Sequence, residues 1–278
     1  MPDITIATVQ MKPVLNEVED NLVKISEYIR KIATEQKVDL IVFPELITTG
    51  YECGMYFTDL AQRVPGPAVN VIAQRAADFS THVLIGMATK ERVESILYDA
   101  AILIGPDGEV VGDYHKVHLR GEERLAFRAG YRAVVFESEL GPIGVMLGWD
   151  LAFPEMARAL VMEGAELLCV CASWEEARAD EWRTLVMARA YENACYVAAA
   201  NRAGEDVTYS FCGDSLIVGP RGQVLASLVG DRDAETGKPV DGYCVAKIDL
   251  EEVRRAREDS QILQARQPLV YRALVKKY

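Results

Sequence analysis

The sequence predicts an α/β protein of two similar halves, each a sheet covered by helices. Two observations carry this. Apolar runs with strand patterning alternate with segments of helical periodicity along most of the 278 residues, as expected where helices connect the strands of a sheet. A hairpin pattern also occurs twice. Ile102-Leu103-Ile104-Gly105-Pro106-Asp107-Gly108-Glu109-Val110 resembles Leu216-Ile217-Val218-Gly219-Pro220-Arg221-Gly222-Gln223-Val224. In both, an apolar strand enters Gly-Pro-X-Gly, where Pro fixes φ and Gly accepts positive φ, and a second strand leaves. Two unrelated hairpins would carry the same local pattern; read as a repeat, they suggest two pseudo-symmetric sheets.

The elements follow in order. Ile4–Gln10 alternates apolar with small or polar residues and reads as a strand. Leu22, Ile25, Ile29 and Ile32 recur at three- and four-residue spacing, an amphipathic helix. Val38–Phe43 is a short apolar run, a buried strand. Residues 68–79 are helical after Pro65-Gly66-Pro67, and residues 83–88 form a strand. Residues 133–137 and 143–147 are strands around a Gly-Pro turn. A helix over 155–163, a strand over 167–172, a long helix over 175–193 and a strand over 196–200 complete the alternation. Beyond Asp249 the chain is charged and helical, then irregular near Gln267-Pro268. No linker or low-complexity segment separates the halves, so residues 1–278 are expected to form one domain.

Composition narrows the function classes. The chain is 50% apolar and 26% charged, ordinary for a globular protein that buries its own core. Its formal charge of −12 argues against a nucleic-acid footprint and against anionic membranes. The N-terminus lacks a basic segment followed by an apolar stretch, and no apolar run approaches the ~20 residues that span a bilayer. Four of the six cysteines (Cys53, Cys169, Cys171, Cys195, Cys212, Cys244) lie within apolar runs, which reads as buried thiols in a reducing, cytoplasmic setting.

Three segments place polar residues at the ends of apolar strands, where α/β folds build sites. In the first, Glu45 follows Ile41-Val42-Phe43-Pro44. Partly desolvated, its carboxylate would be a general base; taken alone, a solvated loop glutamate is the simpler reading. In the second, Lys116 lies in Tyr114-His115-Lys116-Val117-His118-Leu119. A lysine held near a reacting carbonyl stabilises an oxyanion, although a charged surface turn fits as well. His115 and His118 without a third ligand make a weak metal motif, and no metal or other cofactor is expected. Glu122 and Glu123 could orient Lys116. In the third, Gly144–Leu147 runs into Gly148-Trp149-Asp150 and then a helix opening on Pro154-Glu155, an elbow that projects residue 148 from a strand end. That residue is glycine, which alone could merely relieve strain in a tight turn.

Together the segments resemble one family. FPEL (43–46), HKVHL (115–119) and GWDLAFPE (148–155) are similar, in order and spacing, to the signature segments of the nitrilase superfamily of carbon–nitrogen hydrolases. The likeness extends through MARAYEN (187–193), AANRAG (199–204), FCGDSLIVGPRG (211–222) and the tail around Gln267-Pro268. The resemblance implies a four-layer αββα sandwich with an internal pseudo-two-fold repeat and a Glu-Lys-Cys triad supported by a second glutamate. Glu45 matches the base, Lys116 the oxyanion-stabilising lysine, Glu123, rather than Glu122, the second glutamate, and Gly148 the nucleophilic cysteine.

The glycine removes the sulfur on which a thioester would form, so the chain is expected to be inactive. None of its six cysteines lies in an elbow context. Retention of Glu45, Lys116 and Glu123 favours a variant from which the nucleophile was removed over a natural pseudoenzyme that binds amides without turnover. Trp149-Asp150 resembles the amidase and carbamoylase branches. Small aliphatic amides are therefore the first expected substrates, N-carbamoyl compounds the second and nitriles the third. Tyr51, Trp149 and Trp174 are candidate pocket residues, with core packing equally open to each. The resemblance further implies a homodimer formed through the helices at 155–163 and 175–193.

Overall fold

Alternation along each strand decides which side it buries. In β1 (Ile4–Gln10), Ile4 and Ile6 face one way and Ala7 and Val9 the other, and both sides are buried. The computed structural model, which describes residues 3–91 and 96–276, accounts for this with two sheets packed face to face and helices on both outer faces.

The first sheet takes β1, β2 (Leu40–Val42), β3 (His82–Lys90), β4 (Leu97–Ile104) and β5 (Val110–His115). Helix α1 (Val18–Glu35) connects β1 to β2. The short α2 (Phe57–Leu60) and then α3 (Pro67–Phe79) connect β2 to β3. The chain passes through the one-turn α4 (Glu123–Ala126) and builds the second sheet from β6 (Val135–Ser138), β7 (Gly141–Leu147), β8 (Leu167–Ala172) and β9 (Tyr196–Asn201). Helices α5 (Pro154–Met162) and α6 (Ala179–Asn193) are its crossovers. A small hairpin, β10 (Ala203–Glu205) with β11 (Ser210–Cys212), precedes β12 (Leu216–Val218) and β13 (Val224–Ser227). The last elements are β14 (Gly242–Ile248) and α7 (Glu251–Ser260).

The strand orders are β14-β1-β2-β3-β4-β5 and β13-β12-β9-β8-β7-β6. Read from opposite ends they superpose: an antiparallel edge, two parallel steps, then two antiparallel steps. The repeated hairpins match in detail. Gly105 N donates to Glu109 O and Gly219 N to Gln223 O, both at 2.8 Å. Gly108 and Gly222 take φ of 82° and 79°, and each hairpin has a register shift one residue before its turn begins. The four-layer αββα sandwich with a pseudo-two-fold repeat is therefore the observed architecture.

Burial follows from these layers. Ile6, Leu40, Val42 and Leu84 of the first sheet pack with Val145, Leu168 and Val170 of the second. Ile41, Val83 and Ile85 turn outward onto Ile25, Ile29 and Ile32 of α1 and Ile72 of α3. β8 is buried on both faces and lies parallel to both neighbours, so it reads as an unbroken apolar run. All six cysteines are free and buried. No helix among the described residues is long and apolar enough to cross a membrane.

Four differences from the sequence reading matter. The expected helix over 175–193 begins at Ala179. Glu175 is extended and bridges Phe211, and residues 176–178 form a 3-10 turn. The Trp174 indole donates to Arg178 O and holds that turn short of the helix. Second, β14 returns from the C-terminal part to close the first sheet against β1, a pairing the sequence pattern did not reveal. Third, β10 and β11 are short, and their Ala-Gly-Glu and Ser-Phe-Cys segments carry no strand pattern. Fourth, on the helices expected to dimerise, Met156, Ala157, Leu160 and Val186 are buried in the chain's own core, while Met162, Met187 and Tyr191 are exposed.

Candidate active site

The three singled-out segments converge where the two sheets meet. Glu45 leaves the C-terminal end of β2, Gly148 follows β7 directly, and Lys116 follows β5 directly. Glu45 reaches this place because β3 carries glycine at position 86. An ideal Cβ on Gly86 would lie 2.5 Å from Glu45 Cα and 2.8 Å from Pro44 O, too close for any side chain. The turn also bonds β3 through Gly86 N to Pro44 O and Ile47 N to Gly86 O. Gly86→Ala is expected to push Glu45 off the cluster and to cost about 2–3 kcal/mol, typical of overpacking against backbone. Denaturant unfolding measures this, and an unchanged midpoint would contradict the close approach.

Lys116 is fully buried among carboxyl groups. Its Nζ donates to Glu45 Oε1 and to Glu123 Oε1, each at 2.7 Å, and lies 3.5 Å from Asp99 Oδ2. Glu123 is buried while Glu122 is exposed, so the geometry selects Glu123. Glu123 also accepts from Tyr51 Oη at 2.6 Å and from Arg120 N at 2.8 Å. Glu45 Oε2 accepts from Ser173 N at 2.9 Å. Burial alone would depress the Lys116 ammonium, but Glu123, Glu45 and Asp99 outweigh it and hold it well above the ordinary lysine range. Burial, with the Glu123 charge adding, raises the Glu45 carboxyl even though Lys116 opposes the shift. A raised carboxyl beside a fixed cation suits proton abstraction at neutral pH.

Gly148 lies beneath this pair. Its φ of +39° is left-handed, a region that favours glycine. An ideal Cβ there would stand 2.5 and 2.7 Å from the two Glu45 carboxylate oxygens and 2.9 Å from Lys116 Nζ. Asp150 fixes the elbow. Its Oδ2 accepts from Tyr114 Oη at 2.6 Å and Leu147 N at 3.1 Å, and its Oδ1 accepts from His118 N at 3.0 Å. One carboxylate thus ties the end of β7 to the segment that carries Lys116.

All three aromatic candidates, Tyr51, Trp149 and Trp174, line the cavity over Gly148, but each is held differently. Tyr51 lines the cavity and orients Glu123 through its hydroxyl; its own loop is held by Asp206, which accepts from Tyr51 N and pairs with buried Arg202. Trp149 is half-buried against Phe153 at 5.1 Å. Trp174 both lines the cavity and packs on Trp182 at 5.8 Å. Arg120 and Glu175, paired at 3.4 Å, are the more exposed lining residues. About 20 Å³ of free space remains over Gly148, room for about one water-sized group. A larger groove of about 470 Å³ between α1 and α3 is lined by Leu22, Val23 and Val71 with surface charges, and lacks this convergence of buried groups.

The histidines do not converge. His115 stacks on Tyr98 at 3.8 Å and pairs with Asp113, whereas His118 stacks on Phe153 and meets Asp150. Among the described residues the convergent ligand atoms belong to Glu45, Asp99 and Glu123, and the Lys116 ammonium occupies the place a cation would take. Asp99, Arg120, Ser173 and Glu175 are the site residues that the sequence reading missed. The signal for Asp99 was a carboxylate inside the otherwise apolar strand Leu97–Ile104.

A helix–sheet–sheet–helix sandwich with a carboxylate–lysine cluster facing a strand-to-helix elbow defines a class of α/β hydrolytic proteins. The carbon–nitrogen hydrolase family model matches residues 5–258, and the chain belongs to that family, within the nitrilase superfamily. It is 38% identical to a probable nitrilase of Schizosaccharomyces pombe over 97% of this chain and 98% of that one. It is 32% identical to the 2-oxoglutaramate amidase of Bacillus subtilis over 91% and 94%. Among solved structures, the amidase from Nesterenkonia sp. AN1, in a mutant form showing covalent addition of the acetamide moiety of fluoroacetamide at its active-site cysteine, matches with a TM-score of 0.82. The identity there is 26%, with 97% and 96% of the two chains covered.

Proposed function

We propose that this chain is an amidase of small, chiefly aliphatic amides that lacks its nucleophile, and that it binds such amides without turning them over. The observation that carries this reading is the position of an ideal Cβ at residue 148, within 3 Å of both the Glu45 carboxylate and the Lys116 ammonium. A thiol there would meet base and oxyanion donor together. With cysteine at 148, Glu45 takes the thiol proton, the sulfur attacks the amide carbon, and Lys116 stabilises the oxyanion. The C–N bond then breaks, and ammonia leaves with the proton that Glu45 returns. Water attacks the thioester, Glu45 accepts its proton, and the acid and free thiol are regenerated. Glu123, fixed by Tyr51, orients Lys116.

Relatives named as amidases support amide hydrolysis, N-carbamoyl hydrolysis is the nearest alternative, and the relative named as a probable nitrilase keeps nitrile hydrolysis as the third. The little free space, closed by Arg120 and Glu175, favours small substrates. We also place a homodimer contact on the outer faces of α5 and α6, where Met162, Met187 and Tyr191 are exposed. The test measures ammonia from propionamide, an N-carbamoyl amino acid and a nitrile with Gly148→Cys, and propionamide binding to the unaltered chain by calorimetry. Propionamide is expected to be turned over fastest. Binding without turnover even after Gly148→Cys would replace the enzyme reading with a non-catalytic amide-binding protein.

A further inference from the structure

We propose that Asp99 carries a proton in the buried cluster and donates it as a hydrogen bond to the Glu45 carboxylate, acting as a positioning residue for that group. The counts of donors separate the three carboxyl groups. Glu123 accepts from Tyr51 Oη, Lys116 Nζ and Arg120 N. Glu45 accepts from Lys116 Nζ and Ser173 N. Both oxygens of Asp99 are buried and have no partner, and Lys116 Nζ at 3.5 Å is too distant for a good hydrogen bond. A buried carboxylate without a donor is the costliest form the side chain can take; a carboxylic acid supplies a donor of its own.

Charge leads to the same assignment. The carboxyl oxygens of Glu45, Asp99 and Glu123 lie within 4.8 Å of one another around one ammonium. Three ionised groups would leave an excess of two negative charges in a dry cavity, where like charges repel strongly. The titratable groups that face Asp99 from the neighbouring elements are anions or weak acids: Glu45 after β2, Glu123 on α4 and the Cys171 thiol on β8. Among these neighbouring groups Lys116 opposes them. Burial first and the Glu45 charge second push the Asp99 carboxyl well above the ordinary range. The backbone of Asp99 serves the same cluster, because its carbonyl accepts from Lys116 N at 2.9 Å. Residue 99 therefore fixes the lysine through its main chain and the glutamate through its proton.

That Glu45 is the base rests on the proposed function; the protonation of Asp99 does not, and the first experiment is independent of turnover. Infrared spectra of the unaltered chain at neutral pH are expected to contain the C=O stretch of a buried protonated carboxyl. Asp99→Asn should remove that band. Carboxyl-¹³C-labelled aspartate should shift it in the unsubstituted chain, which serves if the substitution disturbs folding. No such band, or one that the aspartate label leaves in place, overturns the proposal. In Gly148→Cys, the acid limb of kcat/KM is expected to stay in place with Asp99→Asn, which keeps a neutral donor, and to rise by about one pH unit with Asp99→Ala. A fall with Asp99→Asn would mean that an ionised Asp99 had been removed, and would overturn the assignment. An inactive Gly148→Cys with the labelled band present contradicts the proposed function and leaves Asp99 protonated.

Discussion

Gly148→Cys is expected to release ammonia from propionamide on the order of a million-fold faster than the unaltered chain, the scale on which nucleophile deletions act. The base and the oxyanion donor, Glu45 and Lys116, are already within contact distance of position 148. The same variant should be less stable by about 1–2 kcal/mol, because a side chain enters the left-handed region at φ +39°. Its Cβ would also displace the Glu45 and Lys116 side-chain ends that now lie 2.5 to 2.9 Å from its ideal position. Those are the far ends of flexible side chains, so they can retract where backbone could not. Gly148→Ala separates the effects: it should lose the same stability and gain no activity. A Gly148→Cys protein that folds, loses no stability and releases no ammonia would contradict both the strain and the chemistry.

Lys116→Met is the second large effect, expected to cost about 3–5 kcal/mol at neutral pH, as when one partner of a buried ion pair is removed. Methionine fills the lysine stem but leaves Glu45, Glu123 and Asp99 facing one another with no cation. The Lys116 charge also lowers both Glu45 and Asp99, so its loss must raise both further. A carboxyl raised in the folded state holds its proton where the unfolded chain has already released it, and stability then falls as pH rises. The deficit of Lys116→Met should therefore shrink on acidification toward 4.5, the reference pKa of glutamate, and be largest above the raised folded values. Unfolding curves at several pH values measure this. A deficit that grows on acidification would reverse the sign and contradict the cluster's electrostatics.

What the sequence made legible was local. β1, β8 and the core-facing stripe of α1 show in the period of their apolar residues, and the two Gly-Pro-X-Gly turns show in their turn chemistry. Glu45, Lys116, Glu123 and Gly148 were legible because each sits in a distinctive segment. The missed features depend on long-range packing. β14 pairs with β1 across nearly the whole chain, and its Gly-Tyr-Cys-Val-Ala-Lys-Ile segment gives no reason to join the first sheet. Glu175 looks like the start of a helix, and only its bridge to Phe211 and the Trp174–Arg178 bond place it beside the cavity. Arg120 looks like an ordinary charge in a polar turn until Glu175 is brought to it. Asp99 was hidden by the apolar strand around it, although a carboxylate there has to be neutral or paired. Chain separation also concealed Tyr51's link to Glu123, although Tyr51 itself was among the pocket candidates.

The central proposal is that one side chain, the CH2–SH of a cysteine at residue 148, separates this chain from a working amidase. Its most direct test is mass spectrometry of Gly148→Cys quenched in acid during propionamide turnover. A propionyl adduct that peptide mapping places on residue 148, absent from the unaltered chain and from Gly148→Ala, is the predicted result. Ammonia release with no adduct at residue 148, or an adduct on a buried thiol such as Cys171, would contradict it.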